Sequence, residues 1–246
     1  MTMATSEPAS TRPDYTRRLA GRASLAGRAA FVPGGYGGIG ETVAWGLALA
    51  GARVAVAGQS AAKAEAPAST LRAAGHEAIG LALDAAAIHF DGLGNCFGIQ
   101  REERHAEVSE AAFDEVVQVN LKAAMFLSQA VARHQIAAAT AGRDGGRQVH
   151  VLSVRAQLGM RDRGYSAYCA TKGALVMLIK QHAVELSAHG ITVNGVAPTV
   201  VRGDMGAHWL AEPEDVVGAT LFFCSPAAAF VTGQVLTIDG GLTATQ

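Results

Sequence analysis

Tyr168 and Lys172 stand four residues apart in Ala167-Tyr168-Cys169-Ala170-Thr171-Lys172, a separation that places both side chains on one face of a helix. A nearby ammonium favours the phenolate, drawing a tyrosine pKa of about 10 down towards working pH and making the phenol a usable general acid or base. Upstream, Ser153 closes the run Val151-Leu152-Ser153, where its hydroxyl could hydrogen-bond a substrate oxygen and turn it towards Tyr168; Ser166 is the weaker alternative. Asn120 falls in the helical stretch Val117-Gln118-Val119-Asn120-Leu121, where an asparagine is unfavourable without a partner or a task. Ser153, Tyr168 and Lys172 are therefore a candidate catalytic set whose chemistry is proton transfer at an oxygen, with Asn120 a fourth candidate catalytic residue or a packing residue.

A second cluster reads Val32-Pro33-Gly34-Gly35-Tyr36-Gly37-Gly38-Ile39-Gly40, followed by Glu41 and an apolar stretch through Leu49. Glycines let a backbone turn tightly and approach a pyrophosphate, while free amides at a helix start attract its charge. A mobile turn would use the same residues, but a strand before and a helix after favour a dinucleotide. The next apolar run ends Ala55-Val56-Ala57-Gly58-Gln59-Ser60, where an acid would bind the ribose hydroxyls of NAD. Gln59 and Ser60 are the candidate contacts there. No acid is present, and no arginine stands ready for the extra phosphate of NADP. The missing carboxylate leans the choice towards NADP over NAD.

These residues need a scaffold, and the chain supplies an alternation of short β-branched runs with longer alanine-rich stretches. That pattern predicts an α/β fold, a doubly wound parallel sheet in a single domain. Strands are expected at Ala29 to Val32, Arg53 to Ala57, Ala78 to Leu83, a short one ending near Asn95, Gln148 to Ser153, Thr192 to Ala197 and Val235 to Ile238. Gly190 before Ile191-Thr192-Val193 reads as a helix end feeding a buried strand. The first 24 residues, rich in Ser, Thr, Pro and Arg without an apolar face, are expected to form a flexible tail ahead of a domain over 25–246.

Composition narrows the function. Half of the 246 residues are hydrophobic and 17% are charged, which suits a buried core. A net charge of −1 without a basic stripe gives a nucleic-acid partner no support. No apolar run reaches membrane-spanning length, and no signal-peptide core follows Met1. Three cysteines without CxxC spacing indicate neither disulfides nor zinc, so the expected location is the cytoplasm. The eight histidines lack ligand spacing, and no metal site is expected. Absence of Gly-x-Ser-x-Gly disfavours a hydrolase.

Gly34, Gly38 and Gly40 give the form Gly-x-x-x-Gly-x-Gly, and with Tyr168, Lys172 and Ser153 in order the chain resembles the short-chain dehydrogenase/reductase family from about Leu25 to Thr243. The resemblance implies an enzyme, an NAD(P)-dependent oxidoreductase passing hydride between a nicotinamide and an alcohol or carbonyl substrate while Tyr168 moves the proton. It implies that Lys172 also holds the nicotinamide ribose and that Asn120 holds a water linking Lys172 to solvent. It makes Gly34, Gly38, Ile39, Gly40, Tyr168 and Lys172 cofactor contacts. Asp84 resembles the adenine-contacting aspartate, and Asn95-Cys96-Phe97-Gly98 resembles the Asn-Asn-Ala-Gly stretch, so Asn95 and Gly98 lie beside the cofactor, with Phe97 either narrowing its floor or packing in the core. Pro198 and Val201 belong to the segment bordering the nicotinamide, and the final strand implies a homotetramer.

Pro33 stands where the family usually has threonine, losing a hydroxyl that ties the glycine loop to its neighbour. Gly98-Ile99-Gln100-Arg101 is similar to gluconate and deoxygluconate dehydrogenases of the family, which makes Arg101 either a contact for a substrate carboxylate or a solvated loop cation. The stretches Asp84 to Asn95 and Met205 to Pro213 are shorter than the family pattern, and a pocket trimmed there would stand open to water. A nucleotide-binding scaffold with little turnover is the rival reading, since a fold does not guarantee chemistry. A hydride-transfer assay separates the two.

Overall fold

Seven short runs, all but the Gly-Leu-Gly-Asn of the fourth carrying valine, alanine or isoleucine, form β1 (Ala29–Pro33), β2 (Arg53–Gly58), β3 (Ala78–Ala82), β4 (Gly92–Asn95), β5 (Arg147–Val151), β6 (Thr192–Pro198) and β7 (Val235–Ile238). They make one sheet in the order β3-β2-β1-β4-β5-β6-β7, with every pairing parallel. The computed structural model describes residues 23–82, 91–200 and 211–244; the first 22 residues of the expected tail, together with Asp84 and Val201, lie outside the described residues.

Alternate strand residues feed two cores, as a sheet buried on both faces requires. Val32, Val54, Val56, Val149, Val151 and Val196 join Leu47, Leu71, Val216 and Phe223 on the side of α1 (Gly38–Leu49), α2 (Ala61–Ala73) and α6 (Asp215–Cys224). On the opposite side α4 (Ala123–Thr140) and α5 (Ser166–Leu186) supply Ala124, Leu175 and Ile179 against Val193 and Ala197. A short helix α3 (Glu110–Val117) runs into α4 through a π-helical turn, Gln118–Lys122. Gly190, at φ +67°, closes α5 and its 3-10 extension in the left-handed region and releases the chain into β6.

β5 stops at Val151 rather than at Ser153. The Ser153 hydroxyl accepts the Arg155 amide at 3.2 Å and caps a 3-10 turn, Val154–Ala156, so a local side-chain bond replaces the ladder. Only residues 83–91 connect β3 to β4, fewer than the roughly dozen or more of an ordinary crossover. Because β2 and β4 flank β1 on opposite sides, the chain leaving β1 runs on to α1 on one face of the sheet and the chain leaving β4 runs on to α4 on the other, which leaves a crevice at the carboxyl ends of the strands.

Candidate active site

The crevice begins with the glycine loop. Gly34 sits at φ +81°, and a Cβ there would fall 2.8 Å from the Phe97 nitrogen, so the loops after β1 and β4 touch only because the side chain is missing. A Cβ on Gly40 would lie 2.1 Å from the Gly34 carbonyl oxygen, which is how the first turn of α1 comes to rest on the loop. Gly37 precedes that helix without a side-chain cap, and Gly38 faces open space. The helix start therefore presents its amides to a ligand, a fit for a pyrophosphate. Ile39 anchors the turn by packing against the core. Where Pro33 removes a hydroxyl, a backbone bond from the Cys96 amide to the Pro33 carbonyl, 3.1 Å long, ties the loop to β4.

From this cradle a cleft of about 500 Å³ extends past Gln59, Phe97, Gly98, Gln118 and Val119. Gln59 is exposed on its wall. Ser60 is the N-cap of α2, its hydroxyl accepting the Lys63 amide at 3.3 Å. Tyr36 was not anticipated: its ring lies over Gly58, where a Cβ would come within 1.9 Å of the ring edge. A lone aromatic within a glycine run is the only sequence signal for it. Phe97 packs against the α5 core and also lines the cleft.

At the other end α5 brings Tyr168 and Lys172 together. Lys172 is 3% exposed, donates to the Val151 carbonyl at 3.0 Å, and places its Nζ 5.5 Å from the centre of the Tyr168 ring. Burial pushes its ammonium down to about 8. Tyr168 shares a hydrogen bond with the Ser153 hydroxyl, so three of the four candidate catalytic residues meet. The phenol's pKa is raised, and the lowering expected from the ammonium is not found: desolvation outweighs the lowering by Ser153 and by the Arg155 guanidinium, and Lys172 is not among the lowering groups. Its ammonium is spent on the Val151 carbonyl beneath the ring.

Asn120 sits in the π turn, 1% exposed. Its Oδ1 accepts the Ile99 amide at 2.7 Å, and its Nδ2 donates to the Ile99 carbonyl at 2.9 Å and the Thr171 hydroxyl at 3.2 Å. It clamps the segment after Gly98 against α5. A Cβ on Gly98 would stand 3.4 Å from both Asn120 Oδ1 and Lys172 Nζ, so that glycine leaves the space between them clear.

Asn95 points away from the cleft. Its Nδ2 meets His150 Nδ1 at 3.1 Å inside the sheet, while Cys96, Phe97 and Gly98 form the wall. Burial drives His150 down to about 3, so the ring stays neutral. Pro198 is buried at the end of β6, paired with Ile238. Arg101 grips Glu115 with two bonds of 2.8 and 2.7 Å, so the carboxylate it faces is the chain's own. Glu115 lies one helix away and carries no local signal. Arg155 and Tyr165, beside Tyr168, were also missed by sequence reasoning; the separation of Tyr165 from Tyr168 by three residues is a helical-neighbour signal that could have found it.

Residues 28–214 match the short chain dehydrogenase family, and residues 202–243 match a second family described as enoyl-(acyl carrier protein) reductase. Gluconate 5-dehydrogenase of Gluconobacter oxydans (strain 621H) is 35% identical over 253 residues, covering 89% of this chain and 96% of the relative. L-xylulose reductase of Bos taurus is 36% identical over 248 residues, covering 90% and 98%. The crystal structure of a gluconate 5-dehydrogenase from Burkholderia cenocepacia J2315 in complex with NADP and tartrate superposes with a TM-score of 0.85 at 30% identity, covering 92% of this chain and 99% of that one.

Proposed function

The chain belongs to the short-chain dehydrogenase/reductase family, an NAD(P)-dependent oxidoreductase family, and we propose that it interconverts a secondary alcohol and a ketone, with NADP as the preferred cofactor and a polyhydroxylated substrate. The observation that carries this reading is the Ser153, Tyr168 and Lys172 corner at the end of a cleft that starts in a glycine cradle. A bound nicotinamide supplies the hydride donor or acceptor.

Gly34, Gly38, Ile39 and Gly40 would hold the pyrophosphate, Gln59 and Ser60 the adenosine ribose, and Gly98, Lys172 and Pro198 the nicotinamide half. For Asp84 and Val201, outside the described residues, a cofactor contact rests on the family resemblance alone. NADP is favoured because Gly58, Gln59 and Ser60 present no acid and Lys63 is close behind; the Burkholderia cenocepacia neighbour was crystallised with NADP. Ser153 positions the substrate oxygen at Tyr168. Tyr168, desolvated at the corner and bonded to Ser153, would move the proton that accompanies the hydride in either direction. Lys172, anchored on the Val151 carbonyl, would hold the nicotinamide ribose, and Asn120 would hold a water that links it to solvent for the return of the proton.

Two exposed apolar groups support a homotetramer: Phe113, Phe126, Met177 and Val184 on α3, α4 and α5, and Phe222, Phe230 and Leu236 around α6 and β7. Among the described residues no helix is long and apolar enough to cross a membrane, and the three cysteines are free, which supports a cytoplasmic location.

The test is a screen of 5-keto-D-gluconate, L-xylulose, D-erythrulose and gluconate with each cofactor, read by nicotinamide absorbance. NADPH-dependent reduction of at least one ketone, lost in Tyr168→Phe, is expected. Cofactor binding without turnover on any ketone would return the scaffold reading.

A further inference from the structure

Tyr165 is the last residue before α5, and it is held from several sides. Its backbone forms a parallel bridge with Glu103, a residue of the loop beyond Gly98. The Glu103 amide donates to the Gly164 carbonyl at 3.1 Å, and a Cβ on Gly164 would lie 2.2 Å from the Glu103 carbonyl, so the two loops meet without a gap. The Tyr165 carbonyl accepts the Cys169 amide at 2.8 Å, opening the helix that carries Tyr168.

The side chain is fixed as firmly. Arg163 donates from Nη2 to the Tyr165 hydroxyl at 3.3 Å, and its guanidinium carbon lies 5.7 Å from the ring centre. Glu102 faces the same guanidinium, with Oε1 2.9 Å from Arg163 Nε. The Tyr165 ring, 9% exposed, then stands with its centre 6.2 Å from that of Tyr168 and the planes at 65°. Aromatic pairs at this distance and tilt attract and resist rotation.

We propose that Tyr165 is a positioning residue for the proton donor, a ring that fixes the Tyr168 side chain against Ser153 and keeps water off its flank, and is itself pinned by Arg163 and the Glu102-Glu103 loop. The proposal rests on the reading of Tyr168 as the proton donor. A phenol that swings freely loses alignment with the substrate oxygen, and small misplacements are costly in rate. A phenol wetted on one side also loses part of the desolvation that is the largest cause of its raised pKa. Any shift of the 102–104 strip is passed to Tyr168 through one ring contact, which couples the loop after the cleft wall to the proton donor.

The experiment compares the full chain with Tyr165→Leu, Tyr165→Phe and Arg163→Met. Tyr165→Leu keeps bulk but removes the ring, and kcat for carbonyl reduction should fall roughly tenfold or more while the cofactor KM holds within about twofold. Its alkaline limb, which reports loss of the Tyr168 proton, should move to lower pH. Tyr165→Phe keeps the ring and should recover most of the rate, with the limb in place. Titration of tyrosinate absorbance, each protein against the same protein carrying Tyr168→Phe, follows the phenol without turnover. It therefore tests the positioning role even if the proposed reaction fails. A Tyr165→Leu protein with unchanged kcat and an unmoved phenol titration overturns the proposal. If that variant fails to fold, Arg163→Met decides: a downward shift of the phenol titration supports the role, and no shift overturns it.

Discussion

The two ends of the cleft are built on opposite plans. The cradle is made of missing side chains: Gly34 and Gly40 let backbones approach to distances at which any Cβ would collide, and the ligand-facing groups are amides. The catalytic corner is made of side chains brought from the end of β5, the π turn and α5, and its central phenol and ammonium are both shifted by burial. The cradle is thus specified almost within one continuous string, Pro33 to Gly40, whereas the corner exists only once the sheet has formed. Damage to the first should appear as lost affinity, and damage to the second as lost rate.

The strongest separation of the two plans is Tyr168→Phe. It deletes the proton donor and keeps the ring under which Lys172 sits. A fall in kcat of about 10²–10⁴ is expected, with cofactor affinity within about twofold by direct titration. Retention of more than a few per cent of the rate would place the proton donor elsewhere.

The converse break is Gly40→Ala, which forces a methyl group to within 2.1 Å of the Gly34 carbonyl. Overpacking of this kind costs about 1–3 kcal/mol, so a lower Tm is expected together with a loss of cofactor affinity of roughly tenfold or more. The rate at saturating cofactor should hold near that of the parent protein. A variant that binds cofactor normally but turns over slowly would show that the glycine loop serves the corner instead.

Acid acts next on the sheet behind the corner, which buries a titratable imidazole, whereas the ligand-facing groups of the cradle are backbone amides. His150 is buried beside Asn95, and its folded pKa of about 3 lies below its ordinary 6.5, so the unfolded chain binds the proton more readily. Stability from this group is complete above about 6.5 and drains as pH falls towards about 3, at about 1.4 kcal/mol per unit. Urea unfolding of the parent and of His150→Gln between pH 6 and 4 measures the difference in slope. Equal slopes would assign the acid sensitivity to other groups.

The cradle was legible in the sequence for the same reason that it is robust: a run of glycines after a β-branched strand carries its own geometry. The strands were legible through alternation, and Tyr168 with Lys172 through helical spacing. What stayed hidden depends on contacts across the fold. Arg101 read as a possible carboxylate contact because nothing near it in sequence shows Glu115 reaching it from α3. Asn120 read as a helix misfit with a task, but its clamp on Ile99 depends on a π turn that no local pattern marks. The direction of the Tyr168 shift could not be read either, because desolvation is a property of the packed neighbourhood that includes Tyr165 and Arg155. Deletion was the other difficulty. The alignment with the Gluconobacter oxydans relative spans 253 positions yet uses 89% of a 246-residue chain, so that relative carries residues where this chain has none.

The smallest expected effect lies at the outer edge of the cradle. Gln59 is exposed on the cleft wall beside Gly58, and Lys63 follows in the first turn of α2. Gln59→Arg adds a fork of donors where a 2′-phosphate would lie, and charge-assisted bonds to phosphate are stronger than those of a neutral amide. Exposure limits the gain, because water competes for both partners and salt screens the attraction, so about 0.5–1 kcal/mol is a fair expectation. That corresponds to a rise of roughly two- to fivefold in the preference for NADP over NAD, measured as the ratio of kcat/KM values at low salt. The rise should shrink on moving to high salt, which a packing effect would not do. It should also leave Tm and the pH profile of Tyr168 untouched, since Gln59 stands at the far end of the cleft from the corner. An unchanged ratio at both salts would mean that the ribose end of the cofactor lies away from Gln59, with Tyr36 over Gly58 then the nearer wall.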